Sequence, residues 1–295
     1  MTLSQAGMIG YPHEAAIRIG FFLTIFSVVA LAELGAPRRR LAAGKAGRWR
    51  VNLALTLLDA VLVRLLFPLL PVGLALVAAS RGWGMMNQLS LSLWPAVLFG
   101  VLILDLVIYL QHVLFHLHPL FWRLHGVHHT DLDIDVTSGL RFHPLEIVLS
   151  MLIKLAAVAA LGLPALAVLV FEVLLNGTSM FSHGNIRLHE GFDRLLRLVV
   201  VTPDMHRVHH SVIIRETNSN FGFNFPWWDR FFGTYRAEPA RGHDAMIIGN
   251  AQFRDAAFLT LPKLLLLPFR RGGMPGQAGK WRRGPDPGTQ RGVPR

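Results

Sequence analysis

The chain has 295 residues, 52% of them hydrophobic, with 29 Lys and Arg against 18 Asp and Glu, a formal net charge of +11. That apolar share is above an ordinary soluble domain, and the absence of cysteine excludes disulfides, thiolate metal ligands and a fused iron–sulfur centre. The positive charge does not read as a nucleic-acid footprint, because it is concentrated in one loop after the first apolar stretch and in a tail from Lys263 to Arg295, beside apolar segments.

A helix needs about 20 apolar residues to cross a bilayer. The first such stretch runs from Ala15 to Leu34, and it lacks the basic leader of a cleaved signal peptide. The second runs from Val51 to Ala79, interrupted by Pro68-Leu-Leu-Pro71, and the third from Leu91 to His112. A fourth and fifth lie between Leu145 and Met180, with Gly162-Leu-Pro164 as the turn. The segment from Phe258 to Phe269 is short and broken by Pro262 and Pro268, so it is expected to lie on the membrane. The Gly- and Pro-rich tail after Arg271 is expected to be disordered.

Arg38, Arg39, Arg40, Lys45, Arg48 and Arg50 crowd the loop after the first span, whereas the first thirteen residues carry no Lys or Arg. Basic loops stay cytoplasmic, so the N-terminus is expected outside and this loop inside. Following the chain through the later spans then puts His112 and His183 on the cytoplasmic side.

Eight of the fourteen histidines form three clusters: His112-x3-His116, His125-x2-His128-His129 and His206-x2-His209-His210. Residues three and four apart share a helix face, so each cluster aims its imidazoles at one point, and imidazole binds iron, copper and zinc. Asp105, Tyr109, His112 and His116 form one stripe on the third span, and Glu172, Asn176, Ser179 and His183 repeat the spacing on the fifth. Polar residues at membrane depth mark functional sites by default. Lys154 lies at a depth comparable to Glu172, so mutual neutralisation is the plainer account of that pair. His143 and His183 flank spans four and five and are candidate ligands, whereas His118 and His189 lie off the cluster faces and His13 and His243 read as surface residues. Asp131, Asp133 and Asp135 alternate in a loop, either orienting ligand imidazoles or solvated; Asp204 and Asp229 are similar candidates. Trp227 and Trp228 fit an interfacial belt or a lid.

These clusters, in this order around a membrane hairpin, resemble the fatty acid hydroxylase/sterol desaturase superfamily. Phe121-Trp-Arg-Leu-His-Gly-Val-His-His129, Arg141-Phe-His-Pro144, Thr202-Pro-Asp-Met-His-Arg-Val-His-His-Ser211, Asn220-Phe-Gly222 and Trp228-Asp-Arg-Phe-Phe-Gly-Thr-Tyr235 carry the resemblance over about residues 90–236. Three spacers in the first cluster, rather than four, favour this branch over acyl-CoA desaturases and alkane hydroxylases. One departure is Phe221, where a tyrosine is common.

The resemblance implies two iron ions, with zinc as a substitute, held by His112, His116, His125, His128, His129, His206, His209 and His210, with His143 and His183 as further ligands. It implies O2-dependent hydroxylation or desaturation of a lipid such as a sterol or fatty acyl chain. With no cytochrome b5-like domain fused, electrons are expected from a separate donor of cytochrome b5, ferredoxin or reductase type. The expected architecture is an all-α integral membrane protein of four to five membrane-embedded helices, with a cytoplasmic helical cap holding a dinuclear site. Its parts are an N-terminal membrane hairpin region (1–89), the catalytic domain (90–240), an interfacial segment (241–271) and the basic tail (272–295). A zinc-dependent membrane hydrolase is the alternative, but catalytic zinc needs only three protein ligands. A metal transporter or sensor is a third, but transport sites lie near the membrane midplane.

Overall fold

The computed structural model describes residues 13–89 and 91–270, so the expected disordered tail lies outside the described residues. Among these residues the fold is all-helical, apart from two isolated bridges, Pro37 to Ile186 and Ser211 to Ile248. Five stretches are long and apolar enough to cross a membrane. They comprise helix α1 (Glu14–Gly35), a broken stretch with α2 (Lys45–Leu66) and α3 (Pro71–Arg81), then α4 (Leu93–Leu117), α6 (Pro144–Leu161) and α7 (Ala165–Ser182). Short helices build the cap: α5 (Pro119–His125), α8 (Glu190–Leu196), α9 (Pro203–His209), α10 (Trp227–Phe231) and α11 (Leu261–Leu266).

The break in the second stretch has a steric origin. Pro68 disfavours helix at Phe67, which takes an extended conformation, and Pro71 opens α3 at its first position. At 1.5 Å per residue α2 is about 33 Å long and α3 only about 16 Å, so α2 alone has the span of a bilayer. Gly82, with φ 65°, ends α3, and the following turn meets the α6–α7 turn at Gly84 and Gly162. A Cβ on Gly84 would stand 2.1 Å from the Gly162 nitrogen, so both turns occupy one end of the bundle.

Half of the apolar window of α7 is buried and 44% of that of α4, against 6% for α1. Helices α4 and α7 are therefore the centre and α1 the periphery. Lipid tails are as apolar as leucine, so close backbone approach rather than hydrophobic burial holds such helices together. Gly100 of α4 admits Ala167 of α7, and Gly177 of α7 admits Ile25 of α1; a Cβ at either glycine would meet its neighbour at 2.7 Å.

The loop between α5 and α6 decides the position of the site. Every residue from His125 to Arg141 is buried, and a buried loop must find partners for its backbone groups. Arg48, near the start of α2, answers the Asp133 carbonyl at 3.0 Å and also the loop's carboxylates, donating to Asp131 at 2.6 and 2.9 Å and to Asp135 at 2.7 Å. Asn52 donates to Asp131 and Thr137, and Arg141 reaches the Val127 carbonyl and Asn52. Glu33 at the end of α1 accepts from the amides of Val136 and Asn185. The first two spans thus hold the cap.

Gly139 lies where this loop crosses the end of α7. A Cβ there would stand 2.5 Å from the Ser179 carbonyl oxygen and 3.2 Å from the His183 ring. Gly139→Ala is therefore expected to lower thermal stability by about 1–3 kcal/mol through overpacking. It should also displace His183, checked by melting in detergent and by metal content; a variant with unchanged melting and metal content would contradict this packing.

The C-terminal segment is more than an interfacial strip. Leu264 and Leu267 pack on Trp122, Val127 and Leu55, while Leu266 and Phe269 are exposed.

Candidate metal centre

Nine histidines converge beneath this cap. Helix α4 carries His112 and His116 on one face and stops at His118, because Pro119 follows. Helix α5 contributes His125, and a single 3-10 turn contributes His128 and His129. Thr202 caps α9, its hydroxyl accepting from the Met205 amide, and the helix places His206 and His209 before His210. His183 ends α7. None of the nine is more than 2% exposed.

They sort into two groups whose ligand atoms lie within 4.8 Å of one another. One is His112, His116, His125, His129 and His209; the other is His128, His183, His206 and His210.

The hydrogen bonds fix which ring nitrogens are free. The Nδ1–H groups of His112, His128, His183 and His209 donate to the carbonyls of Phe221, Arg141, Ser179 and Ser219 at 2.7, 3.1, 2.7 and 2.8 Å. His125 Nδ1 donates to Glu146 Oε1 at 2.6 Å, and His116 Nδ1 to Asn218 Oδ1 at 3.2 Å. With the proton on Nδ1, each Nε2 is a bare lone pair. Yet His112 Nε2 faces His125 Nε2 at 3.1 Å and His183 Nε2 faces His128 Nε2 at 3.2 Å, lone pair to lone pair, while His206 and His210 Nε2 crowd the same His183 nitrogen, each at 3.1 Å.

Facing lone pairs repel unless a cation lies between them. With metal–nitrogen bonds of about 2.1 Å, neighbouring ligand atoms stand roughly 3.0 Å apart in an octahedron and 3.4 Å in a tetrahedron. The observed separations fall in that interval. Further ring nitrogens lack hydrogen-bond partners altogether: Nε2 of His116 and His209, and both nitrogens of His129. The residues fit two metal ions.

Electrostatics agree. Burial drives His125 down to about 3 and His183 to about 4, and holds His128, His129, His206, His209 and His210 well below the usual histidine range. All are neutral at physiological pH, which is the ligating form. A set of imidazoles without thiolate suits iron, copper, nickel or zinc.

His143 stands outside both groups, contrary to the sequence expectation. Its Nδ1 accepts from the Leu145 amide as the N-cap of α6, and its Nε2 bonds the Leu265 carbonyl at 3.2 Å. Both nitrogens are therefore already engaged.

The expected supporting residues divide similarly. Asp229 accepts from the amides of Phe221 and Gly222 and from Thr234, and Tyr109 meets the Thr234 hydroxyl at 2.8 Å. Together they brace the loop whose carbonyls orient His112 and His209. Burial pushes the Asp229 carboxyl up to about 6, against these hydrogen bonds. Asp105 accepts from Trp228 Nε1 at 2.8 Å, so Trp228 is an anchor of that motif; Trp227 instead donates to the Leu198 carbonyl.

Asp131, Asp133 and Asp135 neither orient imidazoles nor face solvent. Asp131 and Asp135 hold Arg48, and Asp133 accepts from the Ala43 amide. Burial alone would raise the Asp131 carboxyl, but Arg48 holds it well below the usual range. Asp204 pairs with Arg38 and Arg207 rather than a ligand. Glu172 accepts from Lys154 at 2.7 Å, as neutralisation predicts, and also from Arg18 at 2.6 Å; Asn176 bonds the Glu172 carbonyl. The stripe on α7 thus reaches the metal centre only at His183. His243, read as a surface residue, is buried beside Asp204 and Glu238.

Glu146 is the supporting residue that sequence reasoning missed. It lies in the first turn of α6, two residues beyond Pro144, and its burial at 4% exposure is the signal that distinguishes it. Glu146→Gln removes the carboxyl partner of His125 and is expected to weaken metal affinity or activity by about 10- to 100-fold. Metal titration of the purified variant checks this, and unchanged affinity together with unchanged turnover would exclude the role.

A cavity of about 360 Å³ opens between α2, α4, α6 and α7 against this centre. Phe142 on its wall stacks on His128 with ring centroids 4.7 Å apart, and Phe223 lies 5.0 Å from His112.

Residues 97–234 match the fatty acid hydroxylase family model. The chain is 30% identical over 149 residues to the ornithine lipid hydroxylase of Rhizobium tropici, covering 50% of this chain and 44% of that protein. It is 28% identical to human alkylglycerol monooxygenase over 49% of this chain and 31% of the relative. It is 26% identical to methylsterol monooxygenase 2-2 of Arabidopsis thaliana over 56% and 63%. The chain spans less than two thirds of the length of each of these relatives. No solved structure matches. The family match and these relatives support the fatty acid hydroxylase/sterol desaturase superfamily, on a multi-pass membrane scaffold.

Proposed function

We propose that this protein is a di-iron, O2-dependent membrane oxidoreductase that hydroxylates, or desaturates, a C–H site of a lipid. The observation that carries the reading is the convergence of nine buried, neutral imidazoles into two ligand groups beside an intramembrane cavity. The ligands are His112, His116, His125, His129 and His209 for one ion and His128, His183, His206 and His210 for the other.

An unactivated C–H bond needs an oxidant that no side chain supplies; the iron pair, when bound, provides reductive activation of O2. Hydroxylation consumes R–H, O2, two electrons and two protons and yields R–OH and water. Desaturation removes two hydrogens from adjacent carbons with the same O2, electrons and protons and yields two waters. A separate donor of cytochrome b5, ferredoxin or reductase type supplies the electrons.

The chain's own residues do the rest. Phe142 and Phe223 wall the centre from water, and the cavity aligns the substrate chain with it. Glu146 and the cap carbonyls hold the imidazoles in one tautomer. The basic loop after α1 supports a cytoplasmic position for the centre, where a soluble or peripheral donor could reach it.

The deciding experiment supplies the iron-loaded full chain in nanodiscs with reductant, donor and labelled O2. Incorporation of one labelled oxygen into a lipid supports hydroxylation, and loss of two hydrogens supports desaturation. Stoichiometric zinc with no O2 uptake overturns the reading.

A further inference from the structure

The cavity beside the metal centre contains acceptor oxygens that nothing answers. Asp59 of α2 is only 7% exposed, and its Oδ1 has no hydrogen-bond partner. Glu146 spends Oε1 on His125, while its Oε2 is buried and unpartnered. Gln111 donates from Nε2 to Ser150 at 3.1 Å, while its Oε1 is buried and unpartnered. All three side chains line this cavity. Among the described residues, no unpartnered buried donor lines it.

The cations on its wall do not resolve this. Arg18 and Lys154 are the cationic side chains lining the cavity, and both already bond Glu172. A buried carboxylate left without a counter-charge inside a membrane helix is costly, and such residues mark ligand sites. A partner that carries N–H donors and a positive charge would answer all three acceptors. An ammonium group has three donors and no acceptor, matching three orphaned acceptors.

We infer that Asp59, Glu146 and Gln111 form a recognition site for the primary ammonium group of a lipid substrate. Much of the remaining wall is apolar, including Val63, Ile108, Ile147, Met151 and Leu175, and lies within the spans, so the amine arrives on a lipid chain. Glu146 touches both the site and His125. The amine-bearing end of the lipid is thereby held one side chain from the metal centre, which directs oxidation to the head-group end rather than the chain terminus. That last step rests on the oxygenase reading; the ammonium site itself does not.

The test uses the full-length chain in nanodiscs and equilibrium binding of tetradecylamine, its N-acetyl derivative and butylamine. Tetradecylamine is expected to bind the native protein, with Asp59→Asn weakening it roughly tenfold or more while the melting temperature holds. N-acetylation is expected to cause a comparable loss in the native protein, so the comparison survives even if the variant misfolds. Equal binding of the N-acetyl compound, or indifference to Asp59→Asn in the folded variant, overturns the proposal. Butylamine binding as tightly as tetradecylamine overturns the lipid assignment in favour of a soluble amine.

A parallel turnover assay with an amine-bearing lipid and a neutral lipid separates the two readings. Asp59-dependent amine binding without oxidation of any lipid removes the oxygenase reading and leaves the ammonium site. Equal oxidation of the neutral lipid, untouched by Asp59→Asn, removes the ammonium site and leaves the oxygenase.

Discussion

Alanine at His206 and alanine at His209 are each expected to remove one metal ion, lowering the content from about two per chain to about one, and to abolish lipid oxidation. The two residues are three apart on α9 but belong to different ligand groups. His206 leaves a group of four with three members, and His209 leaves a group of five with four. The four-membered group has less redundancy, so His206→Ala should show the sharper stoichiometric loss. The double variant should hold none. Metal analysis after dialysis against a weak chelator, with circular dichroism to establish that the helices persist, reads this out. Retention of two ions in both single variants would mean that the groups are wrongly partitioned.

The second large effect lies outside the metal centre. Arg48 is 6% exposed and answers Asp131 and Asp135, both at most 1% exposed. Removing one partner of a buried ion pair leaves the other charge uncompensated, at a cost of about 3–5 kcal/mol. Arg48→Met is therefore expected to lower the melting temperature steeply. It should also release metal, since the 125–141 loop carries His125, His128 and His129. Neutralising the abandoned charge should recover part of the loss, so Arg48→Met with Asp131→Asn is expected to melt above Arg48→Met alone. A single variant as stable as the native chain would show that the loop is held by packing, not by this cluster.

The membrane stretches were legible because apolar length is a one-dimensional property. So were the eight clustered histidines, because spacings of three and four fix a shared helix face without reference to the rest of the fold. Long-range partners were not. His143 has a ligand's sequence context, yet the Leu145 amide and a carbonyl 122 residues away occupy its ring. Arg48 sits in a basic loop expected on the cytoplasmic side, yet it is buried against carboxylates 83 and 87 residues on. Glu146 and Asp59 look like incidental acids in apolar helices until the cavity between α2 and α6 brings them together.

By itself, then, the sequence determined that this is a multi-span helical protein with imidazoles gathered for metal, since hydropathy and helical period are local. Only the tertiary structure decided that the imidazoles form two sets, that His183 joins them and His143 does not, and which carboxylates support histidine, arginine or nothing in the protein at all. The physical reason is that a hydrogen bond or a ligand sphere acts over about 3 Å in space, whatever the distance along the chain, and no sequence period encodes that separation.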